Sequence, residues 1–180
     1  MAMSYSVTFW GTRGTIPVPG NGTIRYGGNT PCVAVRDGAG RCLVLDAGTG
    51  IRGLGHALRS EAYSGRIDLF LSHVHWDHIQ GLPFFPPMFA DGQEICIHGP
   101  APVGAELAAV LERQLEPAVY PVPRAARAAR LSVREIFADS MVEIPGFRVE
   151  CCQLSHPGGA LGYRITPNGG GPVVAYLTDN

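Results

Sequence analysis

Residues 73–78 read His-Val-His-Trp-Asp-His and follow the apolar run Ile67-Asp68-Leu69-Phe70-Leu71-Ser72. Four potential metal ligands thus fall within six residues, at the exit of a predicted strand. Imidazole nitrogens bind zinc-like cations at about 2.0–2.1 Å, and two histidines one residue apart project the same way where the backbone is extended or turning. Asp77 and His78 then enter the following turn or first helical turn, where they can face a second cation. Three of the chain's six histidines lie in this hexapeptide, a density that ordinary core or surface histidines do not produce by chance. The pattern predicts two adjoining metal pockets.

Outside the hexapeptide, composition sets the frame. A chain of 180 residues with 46% hydrophobic and 16% charged content suits one domain over 1–180 with a real core. No stretch approaches the roughly 20 consecutive apolar residues of a membrane span, and Met1-Ala2-Met3-Ser4-Tyr5 lacks a basic segment followed by an apolar signal core. The expected location is cytoplasmic, with no membrane partner. A net charge of −1 exerts no global pull toward nucleic acid or an anionic surface. All 14 basic residues are arginine. The five cysteines form no Cys-x-x-Cys pair, and an odd number in a cytosolic chain implies reduced thiols. Cys151 and Cys152, adjacent on a predicted strand, should face opposite sides.

The element pattern alternates short strands with few helices. Tyr5 to Trp10 predicts an opening strand, and Cys32 to Arg36 and Cys42 to Leu45 flank the hairpin-like Asp37-Gly38-Ala39-Gly40. Ile51 to Arg59 predicts a helix. Ile67 to Leu71, short and apolar, suits a strand buried on both faces. Gly81 to Phe89 is too proline-rich for a long helix and too apolar for solvent, so it should pack as a wall near the site, with Phe84, Phe85 and Phe89 in core packing rather than on substrate. Glu94 to His98 predicts a strand, and Val103 to Glu116 a helix with Val103, Leu107, Val110, Leu111 and Leu115 on one stripe. Arg124, Arg127, Arg130 and Arg134 recur at near-helical spacing, as a basic face for phosphate or a solvated flank. Leu131 to Phe137, Met141 to Ile144, Phe147 to Leu154, Leu161 to Thr166 and Val173 to Thr178 predict successive strands.

Strand ends then extend the cluster. His156 follows one predicted strand, Asp179 the last, and Asp46 its own. In this order the motifs resemble those of the metallo-β-lactamase superfamily, whose signature is His-x-His-x-Asp-His, and the resemblance covers nearly the whole chain. Gly11-Thr12-Arg13-Gly14, Arg25-Tyr26-Gly27-Gly28-Asn29-Thr30, Leu45-Asp46-Ala47-Gly48-Thr49-Gly50 and His78-Ile79-Gln80-Gly81-Leu82-Pro83 resemble the branch holding ribonuclease Z and phosphoribosyl cyclic phosphate phosphodiesterase.

The resemblance implies an α+β fold, the αββα four-layer sandwich, with its second half incomplete. It implies that His73, His75 and His156 hold a first cation and Asp77 and His78 a second, with Asp179 bridging and Asp77 as the catalytic carboxylate. Asp46 is implied as an acceptor that orients a ligand histidine, or as a helix N-cap. Two cations about 3.5–4 Å apart lower the pKa of a shared water and clamp phosphoryl oxygens. Zinc suits the histidine-rich set, with manganese or iron as alternatives. The implied function is metal-dependent phosphodiester hydrolysis by a metal-bound hydroxide, on a cyclic phosphate, nucleotide or RNA-like diester, small substrates being favoured over RNA. An ester, thioester or lactone hydrolase of the same fold is the alternative within enzymes.

The resemblance also calls for a later histidine, whereas the sequence stops at Asn180. A fragment lacking its C-terminal strands and helices is the favoured explanation. Otherwise the second site is weak, and a catalytically silent metal-binding domain stays open. A bare sheet edge would pair with another chain, as in a homodimer. His98 is expected to make a structural hydrogen bond and His56 to lie at the surface. Turn chemistry accounts for Arg13, Asn29 and Thr30, and no Ser-His-Asp order, Walker loop or dinucleotide motif competes.

Overall fold

The computed structural model describes residues 5–180, so the reading of Met1 to Ser4 lies outside the described residues. A six-stranded sheet runs in the order β1 (Ser6–Gly11), β2 (Cys32–Arg36), β3 (Cys42–Leu45), β4 (Ile67–Phe70), β5 (Glu94–Gly99) and β6 (Arg130–Glu135). Its first two pairings are antiparallel and the next three parallel. Helix α1 (Gly50–Ser60) crosses from β3 to β4, and α3 (Leu107–Arg113) lies between β5 and β6, as parallel neighbours require. A second, antiparallel sheet has the order β10 (Val174–Tyr176), β9 (Ala160–Pro167), β8 (Phe147–Leu154), β7 (Met141–Ile144).

Strand alternation divides the core into two layers. Ile67 and Leu69 of β4 face α1 and α3, in a cluster with Ile51, Leu54, Leu58, Leu107 and Leu111. Phe70 faces the second sheet, packing with Val149, Cys151, Tyr163 and Ile165. Each large apolar side chain so buried contributes about 1.5–3 kcal/mol. The described residues thus form a helix layer and two sheets, in agreement with the expected α+β class. Cys151 is buried and Cys152 exposed, on opposite faces of β8 as alternation requires, and all five cysteines are free thiols.

Two helical expectations need correction. The helix expected over Val103 to Glu116 spans only Leu107–Arg113, because Gly104 takes the left-handed φ of 74° and interrupts the turn before it, leaving Val103 exposed. The four arginines do not share a helical face. Arg124 lies in a single 3-10 turn, Arg127 is 3.5 Å from Glu112, and Arg130 and Arg134 belong to β6, fixed by its parallel register with β5. The proline-rich wall forms two short 3-10 turns, Leu82–Phe84 and Pro86–Phe89. Phe85 is buried and Phe89 packs against the helix-side core, as expected, but Phe84 is exposed.

Candidate metal centre

Because β3 and β4 run parallel, their C-terminal ends meet at one edge of the first sheet. That edge carries Asp46 after β3, and Ser72, His73 and His75 after β4. The chain then turns into α2 (Trp76–Ile79), which supplies Asp77 and His78. In the second sheet β8 and β10 are both antiparallel to β9, so they point the same way and deliver His156 and Asp179 to the same edge. All six sequence-predicted ligands and Asp46 converge there.

The side chains form two adjoining groups. Ligand atoms of His73, His75 and His156 lie within 4.8 Å of one another, as do those of His73, His78 and Asp179. His156 Nε2 is 3.0 Å from His75 Nδ1. Asp179 Oδ2 reaches both groups, 3.0 Å from His78 Nε2 and 3.5 Å from His73 Nε2. Asp77 Oδ2 stands 3.5 Å from His78 Nε2 and accepts the backbone N–H of Thr15 at 2.8 Å.

Asp46 organises the rings from behind. Its fully buried carboxylate accepts the Ser72 N–H at 2.7 Å, the Ser72 hydroxyl at 2.9 Å, the Tyr176 hydroxyl at 2.7 Å and His78 Nδ1–H at 2.7 Å. With its proton given to Asp46, Ser72 Oγ accepts from His73 Nδ1 at 3.0 Å. Both imidazoles therefore carry hydrogen at Nδ1 and a lone pair at Nε2. Both Nε2 atoms are buried without a hydrogen-bond partner. An unmet buried polar atom costs about 1–3 kcal/mol, and divalent cations held by these nitrogens and Asp179 would remove that cost, so the donor set fits such ions.

Burial, then the neighbouring His78, pushes the His73 pKa down to about 4, which keeps its lone pair free at neutral pH. His78 moves up. Burial works against this, but its hydrogen bond to Asp46 and the charges of Asp46, Asp77 and Asp179 outweigh it.

Residues 41–180 match the family model described as "Beta-lactamase superfamily domain". The chain belongs to that superfamily. A ribonuclease BN from Proteus mirabilis is 32% identical over 113 residues, 60% of this chain and 34% of that protein. A ribonuclease Z from Oceanobacillus iheyensis is 31% identical over 102 residues, 54% of this chain and 30% of that protein. The chain thus matches about a third of the length of these curated relatives. The metallo-β-lactamase fold protein YhfI from Bacillus subtilis superposes with a TM-score of 0.68 at 19% identity, over 97% of this chain and 61% of that one. The fold is therefore the metallo-β-lactamase fold.

Three residues that bond this cluster have no sequence signal of their own: Ser72, Tyr176 and Thr15. Ser72 adjoins the hexapeptide, yet its role needs Asp46 beside it. Thr15, Asp46 and Asp179 share a left-handed backbone, with φ of 74°, 59° and 53°, and non-glycine residues so held cluster at functional sites. Asp46 is not a helix cap, since Thr49 occupies the N-cap of α1. His98 is buried against Asp68 at 2.9 Å and His56 is exposed, both as expected. Two open cavities, of about 370 and 640 Å³, share His75 in their walls. Among the described residues no helix is long and apolar enough to cross a membrane.

Proposed function

We propose that the chain is a metal-dependent phosphodiesterase that holds two divalent cations. His73, His75 and His156 would hold the first, and Asp77 and His78 the second, with Asp179 within reach of both groups. The observation that carries this reading is the pair of buried, unpartnered Nε2 atoms of His73 and His78, each approached by Asp179 Oδ2. When bound, the cations supply Lewis acidity to a water and to the phosphoryl oxygens. Asp46 holds His78 in the tautomer that leaves Nε2 free, and Ser72 does the same for His73. The Thr15 N–H fixes Asp77, the candidate catalytic carboxylate, beside the second pocket.

Zinc is the favoured ion because histidine dominates the donor set, with manganese or iron next. Two curated relatives are ribonucleases, which supports a phosphodiester. A small diester is favoured over RNA because the arginines of 124–134 are dispersed and three of them face Glu112 or Glu94 at 3.5–4.0 Å. Elemental analysis of protein refolded with zinc, beside turnover of bis(p-nitrophenyl) phosphate, tests the reading. Two equivalents with turnover are expected. One equivalent or none, without turnover, would overturn it and leave a metal-binding domain.

A further inference from the structure

The larger cavity beside His75, about 640 Å³, has an unusual lining for a groove open to water. Trp76 and Phe84, exposed by 59% and 57%, both contribute to it. The Phe84 ring meets that of Tyr120 edge to face, with centroids 5.8 Å apart. Tyr120 is itself fixed, because its hydroxyl donates to the Pro83 carbonyl at 2.6 Å. Gln114 stands in the same wall, 93% buried by its 7% exposure, and neither its Oε1 nor its Nε2 has a hydrogen-bond partner. Arg113 adds a cation.

These features narrow the occupant. A purely aliphatic group would use the aromatic faces but leave the amide of Gln114 unmet, and a bare phosphate would leave the rings wet. A planar heterocycle uses both. Nucleobases stack on aromatic side chains irrespective of sequence, and an amide carries the adjacent donor and acceptor that match a base edge. The wall also contains His75, whose Nδ1 lies 3.0 Å from His156 Nε2, so an occupant here is contiguous with the metal pockets.

We infer that this cavity is a nucleobase subsite, which makes the substrate a nucleoside phosphodiester whose base packs on Trp76 and Phe84 beside Gln114. The inference rests on the phosphodiesterase reading and names its substrate class.

Two diesters and a phosphonate monoester that release the same leaving group test it: thymidine 5′-p-nitrophenyl phosphate, methyl p-nitrophenyl phosphate and p-nitrophenyl phenylphosphonate. In each, water forms one new P–O bond, the bond to nitrophenol oxygen breaks, nitrophenolate leaves with the electron pair, and the water proton passes to solvent. The wild type should favour the thymidine ester over the methyl ester by about ten- to a hundredfold in kcat/KM, the range that base stacking supplies. Phe84→Ala and Trp76→Leu should each collapse that ratio by about tenfold. An equal preference in the wild type, a ratio untouched by either variant, or a preference for the phenyl compound would overturn the subsite. If none of the three is hydrolysed, the phosphodiesterase reading fails and binding alone judges the subsite. Thymidine 5′-monophosphate should then shift the Trp76 indole N–H resonance, assigned by its loss in Trp76→Leu, while ribose 5-phosphate should not. Equal shifts, or none, would overturn it.

Discussion

Asp46 has no freedom to be another residue type with the same shape. Its carboxylate faces only donors, two from Ser72, one from Tyr176 and one from His78. An amide in its place must turn its NH₂ toward some of them, whichever way it is flipped. Asp46→Asn is therefore expected to lower stability by about 1–3 kcal/mol and to weaken metal binding about 10- to 100-fold. Thermal melts and competition against a chromophoric chelator measure the two effects, and metal affinity equal to wild type would refute the orienting role. The sequence places Asp46 at a strand end, which is legible. Its partners are not, since the bonds to Ser72 and Tyr176 span 26 and 130 residues and depend on which strands become neighbours.

Strands β4 and β5 carry a second buried polar group between the sheets. Asp68 Oδ1 lies 2.9 Å from His98 Nε2, and the Arg66 guanidinium bonds both carboxylate oxygens at 3.0 and 2.6 Å. Burial pushes the Asp68 pKa up, but His98 and Arg66 hold it below the usual carboxylate value. Burial pushes His98 down, and the bonds to Asp68 and Cys96 more than reverse this. The Asp68 contribution to stability is complete above the unfolded carboxylate value and fades as pH falls through the lower native one. The His98 contribution is complete below the unfolded imidazole value and fades as pH rises through the higher native one. Their joint effect is largest between about pH 4 and 6.5. His98→Gln should therefore cost about 3 kcal/mol near pH 5.5 and progressively less at alkaline pH, in urea melts. A gap that widens with pH would contradict this assignment. The turn after α2 is equally constrained: a Cβ on Gly81 would stand 2.0 Å from the Gly48 carbonyl oxygen. Gly81→Ala should force the two loops apart at a cost of about 3 kcal/mol and reduce metal occupancy, measured together by melts and elemental analysis. Intact occupancy would show that the loops tolerate the shift. Elements stabilised by their own pattern, such as β2, β3 and α1, were legible nearly to the residue. The helix before Leu107 and the arginine face were not, because a left-handed Gly104 and the β5–β6 register override spacing.

The whole molecule holds the site at a seam. His73, His75, Asp77 and His78 come from the first sheet's edge, and His156 and Asp179 from the second's. The sheets are joined beside the seam by the Tyr163 hydroxyl donating to the Leu71 carbonyl, by Leu161 N–H to Ser72 O at 2.8 Å, and by Tyr176 to Asp46. A cation bound across this seam binds the native state and meets no preformed site in the unfolded chain, so it must raise global stability and not merely order a loop. At free metal 100 times the dissociation constant the gain is about 2.7 kcal/mol. For a domain of this size that corresponds to a rise of roughly 5–10 °C in the unfolding midpoint. His156→Ala removes the second sheet's histidine from the first group without disturbing any core residue. It should leave the midpoint in excess chelator close to wild type and abolish most of the metal-induced rise, whereas His56→Gln, on the exposed face of α1, should retain it in full. Calorimetric scans of the three proteins with excess chelator and with zinc make the comparison. An equal zinc-induced rise in His156→Ala would mean that His156 is not among the residues that hold the ion.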